Sequence, residues 1–129
     1  MMEMTKAFLY GAAALVFMHG LIHLMGFTTY WQLAEIKELP YKTALLNGQW
    51  EVGDSGIRLF GALWLIATVG FVAAAYGLLT QQDWWQAVMW GAALLSLALT
   101  ALDWTVAFMG VAINIVILAL LIIMPRLPL

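Results

Sequence analysis

Four long apolar runs, set apart by short polar breaks and one long polar stretch, shape the chain: residues 7–27, 57–79, 84–102 and 105–124. None contains an acidic residue, and the basic Arg58 stands at the edge of the second. A hydrocarbon core of about 30 Å takes about 20 residues at 1.5 Å each. Helices can cross it because each satisfies its own backbone hydrogen bonds. The pattern predicts four transmembrane helices. Asp83 followed by Gln86 has the spacing of a capping box, Asp54 or Ser55 can cap the second helix, and Asp103 the fourth. Pro125 and Pro128 end the last run. Short connections at 80–83 and 103–104 make the last three helices antiparallel neighbours. The expectation is all-α: one domain over 1–129, an integral membrane four-helix bundle with both termini on one side.

The stretch 28–56 breaks this pattern. Seven of the twelve charged residues lie between Glu35 and Arg58. Tyr30, Trp31, Leu33, Ala34, Ile36 and Leu39 recur at roughly helical spacing before Pro40, which predicts an amphipathic segment over 29–39 on the membrane surface. A loop this long is either a lid or binding loop, or a linker. Five of the seven tryptophans (Trp31, Trp50, Trp84, Trp85, Trp104) fall at helix ends or in this loop, as aromatic belts require. Basic residues divide between Lys6 and Arg126 on one side and Lys37, Lys42 and Arg58 on the other, so the positive-inside rule leaves both orientations open.

Composition supports the membrane class. Hydrophobic residues make up 65% and charged residues 9% of 129, against roughly 45–50% and about 25% in soluble domains. A net charge of −2 argues against a nucleic-acid partner, which needs a basic footprint. With no cysteine there is no disulfide, Cys-ligated zinc or iron–sulfur cluster. The start Met-Met-Glu-Met-Thr-Lys lacks the basic n-region of a secretory signal, so the first run reads as an uncleaved span.

Candidate chemistry gathers in one half of the bilayer. His19 and His23 lie four residues apart, on one face of the first helix near the long loop. Ser96, Thr100 and Asp103 form a stripe on the third helix rising to the same side; Asn114 lies on the fourth, and Arg58 stands at the mouth. Groups facing lipid would each cost several kcal/mol, so these should face inward as a polar chamber. Gly11, Ala12, Gly70, Ala74, Gly77 and Ala87 line the opposite half, where small residues let helices approach. His19, His23 and Asp103 are the candidates for proton transfer. With Arg58, Ser96, Thr100 and Asn114 they are the candidate ligand-binding set. Alternatively the histidines serve as packing glue, hydrogen-bonded to Asp103, Ser96 or Asn114. Asp103 then acts only as a cap and Arg58 only as a partner of Asp54. A metal or haem site would need more than this pair, since zinc needs a further ligand and bis-histidine haem needs imidazoles from opposing helices. No metal set is assigned, and no phosphate-binding glycine loop, Gly-x-Ser-x-Gly elbow or cysteine nucleophile occurs.

Residues 16–27 (Val-Phe-Met-His-Gly-Leu-Ile-His-Leu-Met-Gly-Phe), Gly-Asp-Ser-Gly-Ile-Arg at 53–58 and Gly-Ala-Leu-Trp-Leu at 61–65 resemble a group of bacterial four-helix membrane proteins of DoxX-like layout. That layout has a His-Gly toward the end of the first helix, a long loop, then three closely spaced helices. The resemblance implies a bacterial inner (plasma) membrane location and membrane redox partners with quinone-linked oxidation. It adds no catalytic residue. Small multidrug transporters are similar in size alone, because they use a carboxylate in the first helix and this chain has none there. The leading expectation is a pocket for a small lipophilic molecule, quinone- or lipid-like, with a homo-oligomer or larger membrane complex as the expected setting. The second is a structural or accessory subunit; the third is a small membrane enzyme, metal site or transporter.

Overall fold

A computed structural model of the chain describes residues 2–123, with side chains from Lys6 onward. The elements are α1 (Met2–Ile22), α2 (Leu24–Tyr30), β1 (Ala44–Leu45), β2 (Trp50–Glu51), α3 (Gly53–Leu79), α4 (Trp85–Leu102) and α5 (Trp104–Ile123). Four spans are long and apolar enough to cross a membrane: Lys6–Tyr30, Gly53–Leu79, Trp85–Leu102 and Trp104–Ile123. From their length and composition we infer membrane insertion. The expected stop at Pro125 and Pro128, and the last residue of the 105–124 run, lie outside the described residues.

The first span continues past Phe27 to Tyr30, with a one-residue interruption at His23. The interruption has a local cause. His23 Nδ1–H donates to the His19 carbonyl at 2.6 Å, the acceptor that its own backbone N–H would use in an unbroken α-helix. That N–H turns to the Gly20 carbonyl instead, at 3.0 Å. A side chain has entered the helical ladder, a recognised cause of local breaks.

α1 packs on α3, α3 on α4, and α4 on α5; α2 also rests on α3, and no comparable contact joins α1 to α5. Helix α3 is therefore the central element. Its buried face runs from Ile57 through Phe60, Trp64, Ala67 and Phe71 to Ala74 and Leu78, the three-and-four spacing of a helical stripe. Gly20 lets α1 approach, since a Cβ there would lie 2.7 Å from Phe71 Cβ. In the opposite half, Gly70 meets Ala92, Gly77 meets Trp84 and Trp85, and Ala74 is buried. Gly11 has no neighbour within 4 Å and Ala87 is exposed, so these two do not join that seam.

The long loop departs most from expectation. No surface helix covers 29–39: Thr29 and Tyr30 close α2, both buried, and turns follow. Tyr30 enters the core because a polar group inside the bundle needs its hydroxyl. The loop then folds back as the hairpin β1–β2, with Ala44 opposite Glu51 and Leu45 opposite Trp50. Leu46 adopts φ 55°, a left-handed conformation costly for a branched residue. Its N–H reaches the Leu102 carbonyl at 3.0 Å, satisfying an acceptor left open at the end of α4. Thr29 Oγ1 donates to the Leu39 carbonyl at 2.9 Å, and Leu39 and Leu45 are buried. The loop is a cap docked on the bundle mouth.

Helix caps also differ from the sequence reading. α4 starts after Trp84, with no side-chain cap from Asp83, and α3 starts after Val52. Asp54 instead sits in the first turn of α3, where its charge suits the helix dipole, and accepts from Tyr41 Oη at 2.7 Å. That bond favours the neutral phenol, so Tyr41 ionises above its ordinary value of 10.0. This loop contact holds below that pH and is lost as pH rises through the raised value. Spectrophotometric titration, taken as the difference from Tyr41→Phe, should show late ionisation that Asp54→Asn brings forward.

Four spans place the hairpin turn and the α3–α4 turn on opposite faces. Single cysteines at the exposed Gln49 and Gln82 should therefore be labelled by an impermeant maleimide from opposite sides of a sealed vesicle. Labelling from one side would contradict this arrangement.

Candidate functional site

The two histidines are buried and belong to one hydrogen-bonded circuit that ties α1 to α4 and α5. The donors can be assigned in order. A carbonyl only accepts, so the His23 bond to the His19 carbonyl places a proton on Nδ1. In the neutral ring Nε2 is then an acceptor, and Ser96 Oγ–H donates to it at 2.5 Å. Ser96 Oγ accepts in turn from Asn114 Nδ2 at 2.8 Å. This orients the amide, leaving Asn114 Oδ1 to accept from His19 Nε2–H at 3.1 Å. Thr100 supports the corner, donating to the Ser96 carbonyl at 2.8 Å. A ring of aromatic side chains holds the imidazoles: His19 lies edge-on to Phe71 with centroids 4.9 Å apart, and His23 sits 5.0 Å from Trp64.

A second polar cluster lies nearer the loop. Asp103, at the α4–α5 corner, is 1% exposed. Tyr30 Oη donates to its Oδ2, and Lys42 Nζ forms an ion pair with Oδ1 at 2.6 Å. Lys42 also donates to Tyr30 Oη at 2.9 Å, closing a triangle. The Asp103 backbone carbonyl receives the N–H groups of Val106 and Ala107, while its side chain caps nothing. Asp103 is thus the anchor of the loop, and it hydrogen-bonds neither histidine.

Between α1, α3 and α5 lies a cavity of about 220 Å³, bordered by His19, His23, Gly26, Trp64, Thr100 and Gly110, with Leu39 of the loop above. Trp64 forms one wall and is 5% exposed; its indole nitrogen is itself fully buried and has no hydrogen-bond partner among the described residues. Its ring is pressed against Gly26, where a Cβ would lie 2.5 Å from it. His19 Nδ1 also has no hydrogen bond among the described residues. A larger hollow, about 690 Å³, lies on the loop surface between Thr29 and Tyr41 and contains no buried ionisable group.

The structure therefore gathers His19, His23, Ser96, Thr100 and Asn114 at one centre and puts Asp103 in a neighbouring one. Arg58 joins neither. It is exposed, its guanidinium stands 5.0 Å from the Trp31 ring, and no ion pair with Asp54 is formed. Among the described residues no three of His, Asp and Glu converge as a metal-binding group. Comparison with family models, curated proteins and solved structures returns no match. Geometry alone therefore carries the functional argument.

Three residues of these centres escape sequence reasoning: Tyr30, Lys42 and Trp64. For Lys42 a signal existed. A carboxylate between two apolar helices needs a cation, and the loop holds few. For Trp64 the signal was position, since it and Trp90 are the tryptophans that fall away from the belts.

Removing one partner of a buried ion pair leaves the other charge uncompensated, a loss of roughly 3–5 kcal/mol when both are buried. Lys42 is 29% exposed, so Lys42→Met should destabilise by about 2 kcal/mol, below that range. Adding Asp103→Asn, whose amide oxygen still accepts from Tyr30, should recover most of the loss. Thermal unfolding in detergent micelles checks both. Additive losses in the double variant would contradict the ion pair as loop anchor.

Proposed function

We propose that this protein binds the polar head of a small lipophilic molecule, quinone- or lipid-like, in the chamber beside His19, His23 and Trp64. A DoxX-like accessory role in a bacterial membrane redox pathway is the setting that the sequence resemblance implies. The observation carrying this reading is a cavity of about 220 Å³ inside the spans, bordered by the buried His19 and His23 and by Trp64. Apolar walls with a few convergent polar groups are the usual composition of small-molecule sites. Both histidines contribute: His23, locked by two hydrogen bonds, forms a rigid wall, and His19 keeps one ring nitrogen as an acceptor.

A second reading rests on the same circuit. Every nitrogen of His23 is satisfied within the bundle, as a purely structural lock between α1 and α4 requires. In that case the protein is a scaffold or accessory subunit.

Native mass spectrometry of gently solubilised protein distinguishes the two. The binding reading expects a small-molecule adduct that is lost in His19→Ala while the fold is retained. His23→Gln supplies an amide donor and acceptor but no imidazole; a scaffold tolerates it and carries no adduct. Absence of any adduct from protein purified in mild detergent or native lipid discs would overturn the binding reading.

A further inference from the structure

Apart from the chamber and independently of that reading, we propose that the exposed start of α3 binds one phospholipid whose head carries a phosphate followed by a primary ammonium. The phosphate meets Arg58 and the ammonium meets Asp54.

Depth comes first. Helix α3 has 27 residues, about 40 Å at 1.5 Å each, against about 30 Å of hydrocarbon and about 40–45 Å with the headgroups included. Its ends therefore reach into the headgroup zones. Asp54 is the second residue of the helix and Arg58 the sixth. The carboxylate thus stands about one turn nearer the water, and the guanidinium lies close to the hydrocarbon edge. Both side chains are exposed.

These two charges have the four-residue spacing of an ordinary helical ion pair, yet each is held by an aromatic partner instead. Trp31 rests on α3 over Gly61, where a Cβ would lie 2.9 Å from the indole Cδ1. Its N–H donates to the Arg58 carbonyl at 2.8 Å, and Phe27 backs the ring with centroids 5.3 Å apart. The Arg58 guanidinium stands 5.0 Å from that fixed ring. A cation held at a ring keeps its N–H donors for other acceptors, and among the described residues no acceptor takes them. On Asp54, Tyr41 Oη occupies Oδ1 at 2.7 Å, and Oδ2 has no hydrogen bond among the described residues.

The order of charge selects the head. In a phospholipid the phosphate sits toward the chains and the amine at the outer end. Arg58 deeper and Asp54 further out present the complementary order. A guanidinium matches phosphate with two parallel hydrogen bonds. A head with phosphate and no cation would meet Arg58 but also Asp54 and Glu51, whose charges both act on the Tyr41 hydroxyl beside them. A quaternary ammonium has no N–H for Asp54, whereas a primary ammonium has three. Next to Arg58 begins the exposed apolar side of α3, Leu59, Ile66 and Val69, along which the chains lie.

The test places the whole protein in nanodiscs with equal amounts of phosphatidylethanolamine, phosphatidylcholine and phosphatidylglycerol of identical chains. Native mass spectrometry counts the lipids retained on release. Phosphatidylethanolamine should exceed phosphatidylcholine by about fivefold, the upper range for one exposed ion pair. Its N-methyl and N,N-dimethyl forms should fall between them in that order, a readout that needs no variant. Asp54→Asn should bring the first two lipids to parity, and Arg58→Gln should lower all three. Equal retention of every lipid by the unaltered protein would mean an annular shell only and would overturn the site. Phosphatidylglycerol retained above both would overturn the zwitterionic head, as would a preference unchanged in Asp54→Asn. Retention unaffected by Arg58→Gln would overturn the phosphate assignment. These lipids depend on Arg58 and Asp54 and the chamber adduct on His19, so each result can fail without the other.

Discussion

A carboxylate with almost no contact with water organises the loop side of this protein. Asp103 sits where α4 turns into α5, surrounded by apolar helices, and a charge there is tolerable only beside a counter-charge and donors. Lys42 and Tyr30 supply them from two other parts of the chain. That requirement draws Tyr30 inward at the end of the first span and brings the loop down onto the bundle. It thereby shapes the roof of the cavity. The hairpin, the left-handed Leu46 and the buried Leu39 and Leu45 all follow from the loop being held close.

The histidine circuit obeys the same constraint one layer deeper. Each of its side chains would be costly against hydrocarbon, and each finds a partner with defined donor and acceptor roles. With neutral rings, the order of donors runs from the His19 carbonyl outward and assigns the tautomers of both histidines. The circuit also explains the break in the first span. A side chain that takes the carbonyl four residues back must interrupt the ladder. What the circuit leaves over beside the cavity is one imidazole nitrogen of His19.

This division of labour separates stability from recognition. Residues whose polar atoms are all satisfied (His23, Ser96, Asn114, Asp103) hold the helices in register. His19, with one ring nitrogen uncommitted among the described residues, is the group beside the cavity free to meet something else. Openness is also divided: α3 and α4 are packed on both sides, and among the described residues one hydrogen bond crosses the seam between α1 and α5.

Sequence alone determined the four apolar spans, because their length and the absence of charge within them admit few alternatives. It also determined that His19, His23, Ser96, Thr100 and Asn114 meet, since helical periodicity and the cost of polarity in lipid turn them inward together. Tertiary structure decided what periodicity cannot encode. The loop's apolar spacing at 29–39 matches a surface helix, yet Tyr30 and Leu39 are recruited into the bundle by partners distant in the chain. Asp83, Asp54 and Asp103 have the local spacing of caps; none caps its helix with its side chain, because α3 and α4 start elsewhere and Asp103 is bound from across the fold. Arg58 reads as a mouth residue, but its helical face points to Trp31 and water. Local pattern dictates which face of a helix is buried; which buried group meets which depends on contacts between residues some seventy positions apart, such as Tyr30 with Asp103 and His23 with Ser96.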